Sequence, residues 1–155
     1  MNEITKCLNE WNATIEALGQ GKQTILIRKY DTTLKEFLLY PTSSYANKDD
    51  VLDSFQEDYK EFANENLLPN GEKRTYEVKY YAKVDEVIEK ASSRIGAFNK
   101  FHIWTREHVK NYLGRKPAKI WILRVYKLNQ PPKLKRSNGM LMIMWINQLN
   151  LKDFQ

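Results

Sequence analysis

The sequence predicts an α+β fold: a small, mixed but mostly antiparallel, curved sheet with flanking helices. Three observations carry this expectation. Helix-like and strand-like stretches follow one another as helix, two strands, helix, strand, helix, two strands, an order too irregular for the β–α–β winding of a parallel sheet. The strand-like runs are short, and Pro, Gly or polar turns interrupt them, as in sheets whose strands double back. At 155 residues, with 42% hydrophobic and 28% charged, the chain has the size and composition of one globular domain over 1–155, long enough to bury roughly two thirds of its unfolded surface.

Element by element, Ile4, Cys7, Leu8, Trp11, Ile15 and Leu18 fall at spacings of three and four, the stripe of a helix over 3–18 that Gly19 and Gly21 close. TILIRKY (24–30) and EFLLYPT (36–42) are β-branched and aromatic runs separated by the polar DTTLK. They read as a hairpin or meander, with Pro41 ending the second strand. Residues 47–68 read as an amphipathic helix, with Val51, Leu52, Phe55, Tyr59 and Phe62 on one side and carboxylates largely elsewhere. LPNG (68–71) is a turn, TYEVKYYAKVDEVI (75–88) a strand and SSRIG (92–96) a loop. Thr105 caps a helix that Gly114 closes. KIWILRVYKL (119–128) is the strongest strand of the chain, followed by Pro131 and Pro132. GMLMIMWINQL (139–149) reads as a last strand, its Met and Leu content leaving a helix open.

The net charge of +6 is unevenly placed: residues 101–155 hold 11 Lys and Arg against Glu107 and Asp153, a net +9. Clustered cations neutralise phosphates and release counterions, which points to nucleic acid, RNA or DNA, as a partner; a well-solvated basic surface would account for the same charge. The acidic stretch 49–65 offers instead a surface for a basic protein partner. The single cysteine, Cys7, excludes an intramolecular disulfide and a Cys-rich zinc site and favours a reducing compartment. The start MNEITKCLNEW lacks the apolar core of a signal peptide, and the longest apolar run, MLMIMWI, is too short to span a bilayer. The expected location is cytoplasmic, away from membranes.

His102 and His108 are the only histidines, and their separation of six does not match the one-turn spacing of helical metal ligands. No metal or cofactor is expected, and Cys7, on the apolar stripe, reads as a buried, inert thiol. No glycine-rich phosphate loop, G-x-S-x-G elbow or H-E-x-x-H occurs. A metal-dependent nuclease or nucleotide hydrolase using Asp31, Glu36 and Lys29 is the alternative, without the D…ExK spacing such an enzyme shows. What remains is a set of aromatic and cationic residues near strand ends: Arg28, Lys29, Tyr40, Tyr45, His102, Trp104, Arg124, Tyr126 and Trp145. Thr42 and Thr105 lie beside them in sequence, and Lys133, Lys135 and Arg136 supply the basic tail. Aromatic faces stack on bases while guanidinium groups hold phosphates. Trp121, alternating with Leu123 and Val125, reads as core, whereas Arg124, flanked by Ile122 and Tyr126 on the other face, must pair internally or enter a polar pocket; the pocket is the reading adopted. The expected function is nucleic-acid binding, reading a modified or flipped base in a pocket, without catalysis of its own. A protein-interaction module is the third reading.

Residues 21–28, GKQTILIR, resemble the G-x-K-x-x-E-x-R signature of ASCH domains, a branch of the PUA-like β-barrels. Gly21 and Arg28 are kept, while Gln23 stands for the lysine and Leu26 for the glutamate. The resemblance implies a PUA-like barrel in which Gly21 permits a tight turn and Arg28 reaches the rim of a pocket, with Trp104 and Arg124 converging on the same ligand. The lost lysine and glutamate imply binding rather than hydrolysis. WILRVYKLNQPPKL resembles the closing strand of EVE and ASCH barrels, which run into a proline-led segment. Nearly the whole chain, through LNEWNATIEALGQGKQTILIRK, EFLLYPTSSY, FHIWTREHV, WILRVYKLNQPP and Trp145, also resembles a family catalogued only as a domain of unknown function. Tyr45 stands where that family's pattern has a histidine, and Met144 and Trp145 where it has a serine–tryptophan pair.

Overall fold

Strand β1 (Cys7–Trp11) runs directly into helix α1 (Asn12–Gly19), so part of the stretch expected to be helical is extended. The computed structural model describes residues 6–72, 75–137 and 140–142, and within it the cause is a non-local pairing. β1 lies parallel to β3 (Glu36–Thr42), from Cys7 opposite Leu38 to Trp11 opposite Thr42. Apolar spacing of three and four suits a helix, but a ready edge strand captures the segment instead. α1 is buried from Asn12 to Leu18, not amphipathic. Its polar groups are matched: Glu16 receives Lys79 Nζ at 2.8 Å and the Tyr80 hydroxyl at 2.9 Å, and Asn12 donates to the Asn66 and Leu68 carbonyls. A Cβ on Gly19 would meet the Tyr80 ring at 2.1 Å, and Gly21 takes φ 78° in the turn that follows, as the tight turn expected there requires.

β2 (Ile25–Arg28) does not form a hairpin with β3. It pairs antiparallel with β7 (Ala118–Lys127), while β3 pairs antiparallel with the start of β6 (Tyr80–Lys90). The five-stranded order is β1-β3-β6-β7-β2. Pro41, facing Glu10 of β1, lies beyond the Glu36–Leu38 stretch that pairs with β6, so its missing N–H leaves no gap in that ladder. A second, four-stranded antiparallel sheet takes β4 (Gly71–Glu72), β5 (Thr75–Glu77), β8 (Lys133–Ser137) and β9 (Met140–Met142) in that order. The long strand expected from residue 75 is therefore divided between two sheets. The expected last strand begins as β9, and its remainder lies outside the described residues, with Met144 and Trp145.

The single helix expected over 47–68 is instead three 3₁₀ turns, at Ser44–Asn47, Val51–Ser54 and Glu57–Tyr59, and a short helix α2 (Lys60–Glu65). Backbone bonds break it: Thr105 N–H to the Ser54 carbonyl and Gln56 N–H to that of Ile103. The Gln56 amide completes the stitch with contacts to the Asn99, His102 and Trp104 carbonyls, each at 2.8–2.9 Å. The apolar side still turns inward at Val51, Phe55 and Ala63, and Asp49, Asp50, Asp53, Glu57, Asp58, Glu61 and Glu65 are exposed. SSRIG opens a 3₁₀ helix (Ser92–Phe101) rather than a loop. α3 (Arg106–Leu113) forms as expected: the Thr105 hydroxyl accepts from His108 N–H at 3.0 Å, and Gly114 closes it at φ 60°.

The fold is thus α+β with a mostly antiparallel main sheet, and the expected barrel does not close. β1 and β2, the two edges of the five-stranded sheet, are not hydrogen-bonded to each other, yet Glu10 of β1 and Arg28 of β2 form an ion pair. In a flat sheet, edges four strands apart would stand about 19 Å from one another. The sheet therefore curls until its edges face across an open seam. Among the described residues no helix is long and apolar enough to cross a membrane.

Candidate functional site

The seam holds a cavity of about 390 Å³. Its sheet side comes from Asn9, Glu10 and Trp11 of β1, from Ile27, Arg28 and Tyr30 along and just after β2, and from Thr42 at the end of β3; its helix side comes from Trp104 and, on α3, His108, Val109 and Tyr112. The sequence explains this convergence. CLNEW is short enough to finish where α1 must start, leaving Glu10 and Trp11 at the strand end, and α3 spaces His108 and Tyr112 one turn apart on one face.

At the floor, Arg28 Nη2 donates to Glu10 Oε2 at 2.5 Å, with the two side chains 12% and 8% exposed. Glu10 Oε1 accepts the Trp11 N–H at 2.8 Å, and Arg28 Nη1 donates to the Ile27 carbonyl at 3.3 Å. The guanidinium also lies 5.8 Å from the centre of the Trp121 ring. Burial alone would lower the pKa of Arg28, but the charge and hydrogen bond of Glu10 outweigh it and raise it, so the guanidinium stays charged. Burial lowers the pKa of His108, with Glu10 opposing, and raises that of Tyr112, with Arg28 opposing. The imidazole is therefore neutral and the phenol protonated at pH 7.

Behind this floor runs a row of rings. Tyr45 stacks on Trp11 with centroids 4.6 Å apart, Trp11 lies 5.1 Å from His108, His108 6.3 Å from Trp104, and Trp104 5.6 Å from His102. At the mouth Tyr30 is 54% and Tyr112 37% exposed, and Lys29 holds its ammonium 4.8 Å from the Tyr112 ring centre. Among the described residues no three His, Cys, Asp or Glu side chains group as metal ligands.

Of the residues singled out from the sequence, Arg28, Thr42 and Trp104 line the cavity, and Lys29 flanks it. His102 and Tyr45 lie in the ring row but are buried in the interior and do not line the cavity. Tyr45 accepts the Ala13 N–H and donates to the Leu67 carbonyl at 2.7 Å, and His102 Nδ1 accepts the Trp104 N–H at 3.1 Å. Burial of His102 pushes its pKa down to about 4. Thr105 is the cap of α3. Tyr40 is buried in a second core, its hydroxyl donating to the Leu134 carbonyl. Arg124 and Tyr126 are not in the cavity: Arg124 pairs with Asp85 at 3.2 Å on an exposed face, and the Tyr126 ring lies 6.0 Å from that of Tyr81. The convergence of Arg28, Trp104 and Arg124 therefore does not hold, because β7 directs Arg124 away from the seam. Lys133 is exposed at the start of β8; Lys135 and Arg136 belong to that strand, and Trp145 lies outside the described residues. Cys7 sits in β1 rather than a helix, with its thiol pushed up to about 12 by burial. Trp121 is core, 2% exposed.

Sequence reasoning missed Glu10, Trp11, His108 and Tyr112. Reading residues 3–18 as one helix put Glu10 on its solvent side. The signal that could have found the helix residues is the His108–Tyr112 pair, one turn apart beside the buried Val109 and Leu113.

Residues 7–151 match the family described as "Domain of unknown function (DUF1802)". The chain belongs to this family. Among curated proteins none matches the sequence. Among solved structures, the DUF1802 chain is similar to the ASCH protein of Zymomonas mobilis, at 11% identity and a TM-score of 0.50, over 86% of this chain and 73% of that one. A single-substitution variant of that protein aligns at 12% identity and a TM-score of 0.51, over 89% and 78%. At such identity the likeness is one of fold, and it confirms the ASCH-like architecture suggested by GKQTILIR. The two departures from the ASCH signature now have a physical setting. Gln23 is buried, its amide donating to the Ile25 carbonyl at 2.9 Å and accepting the Ile103 N–H at 3.2 Å, and Leu26 is fully buried. In this DUF1802 chain both positions serve the interior, and the charged pair of the seam is Arg28 with Glu10.

Proposed function

We propose that the chain binds nucleic acid, RNA or DNA, by taking a flipped or modified base into the seam cavity, without chemistry of its own. The observation that carries this reading is the combination found there. A charged hydrogen-bonding pair lies at the floor, aromatic side chains line the walls, and exposed aromatics with Lys29 stand at the mouth. Rings stack on a base from any sequence, and a buried charged pair orients its edge. The ASCH-like fold supports the same reading, since the PUA-like superfamily is associated with RNA binding. The net +9 of residues 101–155 supplies phosphate contacts, each adding about 0.7 to 0.9 to the slope of log affinity against log salt.

Fluorescence anisotropy with single- and double-stranded RNA and DNA tests this. At least one should bind with salt-sensitive affinity, and Tyr112→Ala should weaken it without altering the circular dichroism spectrum. No binding to any of the four, or binding indifferent to both salt and Tyr112→Ala, overturns the reading. Cleavage of a probe that disappears in Glu10→Gln would replace it with the hydrolase alternative.

A further inference from the structure

The Glu10–Arg28 pair has hydrogen-bonding capacity left over, and that surplus has a direction. An ionised carboxylate offers about four acceptor sites and a guanidinium five donors. Glu10 receives the Trp11 N–H at Oε1 and Arg28 at Oε2, one on each oxygen, and Arg28 spends one donor on Glu10 and one on the Ile27 carbonyl. Both side chains line the cavity. A ligand there meets two acceptor oxygens side by side, with guanidinium donors next to them.

Among the common bases only guanine carries two adjacent donors, N1–H and N2–H₂, with the acceptor O6 beside them. Adenine, cytosine and uracil each bring a single donor group to that edge, flanked by acceptors that a carboxylate repels. We propose that the seam cavity is a guanine site, in which Glu10 accepts from N1–H and N2–H₂, Arg28 donates to O6, and Trp104 and Tyr112 cover the ring. This rests on the base-binding reading above and names its ligand.

The test uses the whole chain and two sets of probes. The first is guanosine, inosine, adenosine, cytidine and uridine, with guanosine monophosphate added, titrated by tryptophan fluorescence. The second is a short oligouridine, as RNA and as its DNA counterpart, with one central guanine, hypoxanthine, adenine or cytosine. Guanine should win by about tenfold or more over adenine, cytosine and uracil. Hypoxanthine, which lacks only the N2 amine, should fall about tenfold below guanine, since one charged hydrogen bond is lost. Glu10→Gln should erase the guanine–hypoxanthine gap; if that variant does not fold, the gap in the unaltered protein decides. Selective binding of guanosine or its monophosphate with none to the oligomers would identify a free nucleoside or nucleotide as the ligand and overturn the nucleic-acid reading alone. Binding of oligomers with equal affinity for every central base, or preference for another base, overturns the guanine site and leaves nucleic-acid binding intact. No binding of any probe overturns both.

Discussion

Arg28 and Arg124 are both strand residues, both paired with a carboxylate, and both were expected to face one ligand. Arg28 sits on the edge strand β2, and its partner Glu10 belongs to the opposite edge of the same sheet. Arg124 sits on β7 next to β6, where Asp85 occupies the irregularity between Val84 and Glu86. Sheet curl brings the first pair together in a concave seam at 12% and 8% exposure, whereas the second stays on an open face at 62% and 44%. Charge alone does not make a site; desolvation by the fold does, because an ion pair in water is strongly screened and a buried one much less so.

The largest effect should come from the support under the seam. Trp121 packs against Tyr30, Phe37 and Arg28, and its indole N–H donates to the Tyr30 carbonyl at 3.1 Å. Trp121→Ala should lower unfolding free energy by about 3 to 5 kcal/mol in a urea titration. A loss under 1 kcal/mol would mean that the interior under Arg28 is not packed as described. Glu10→Ala should follow at about 3 kcal/mol, since it strands a buried guanidinium. Glu10→Gln should cost less, because the amide oxygen can still accept from Arg28. If the alanine variant is as stable as the parent, the ion pair does not hold the edges together.

A pH titration sharpens the comparison from behind the pocket. His102 has a pKa near 4 in the folded protein because burial opposes its charge, against about 6.5 in the unfolded chain. As the pH falls, the unfolded chain takes up the proton first. Stability should therefore be full above about pH 6.5, decline between 6.5 and 4, and have lost about 3 kcal/mol below that window. Burial of His108 acts in the same direction. Denaturation midpoints at pH 7, 6 and 5 measure the decline, and His102→Asn should flatten it. An unchanged midpoint from 7 to 5 in the parent would place His102 in contact with water.

How far these features could be read in advance depended on how local their causes are. The Thr105 cap, the Gly114 closure and β7 rest on neighbours within a few residues, and all three were legible. β1 was not, because its extended form depends on β3, which starts 25 residues after β1 ends. The 47–68 helix failed for the same kind of reason: Gln56 and the backbone of Ser54 bond to residues 99–105. Within the site, Arg28 and Trp104 were legible because their chemistry is conspicuous at any position. Glu10 was not, since an acid in a polar-looking stretch signals nothing until a curled sheet brings it to an arginine 18 residues away.

Trp104 lines the cavity, yet it is 5% exposed and packs in the main core. Trp104→Ala should therefore lose stability as well as affinity, and the cleaner probe of stacking is Tyr112→Ala at the mouth. It should cost about 1 to 3 kcal/mol of base binding while leaving the urea midpoint close to that of the parent. A large stability loss with no change in binding would make Tyr112 a structural residue.

The smallest effect is expected at Arg124, and its smallness is what the comparison requires. Its guanidinium is solvated, its pair with Asp85 is long at 3.2 Å, and no aromatic side chain of the seam lies against it. The hydrogen bond it donates to Tyr126 and the charge of Asp85 raise its pKa, but that leaves its charge at pH 7 unaltered. Arg124→Ala should leave the denaturation midpoint unchanged, as exposed ion pairs usually do, and should leave nucleoside affinity unchanged at every salt concentration. Arg28→Ala, assayed beside it, should abolish base selectivity. If Arg124→Ala instead weakened nucleoside binding as much as Arg28→Ala, the ligand would reach the outer face of β7, and the seam would not be the whole of the site.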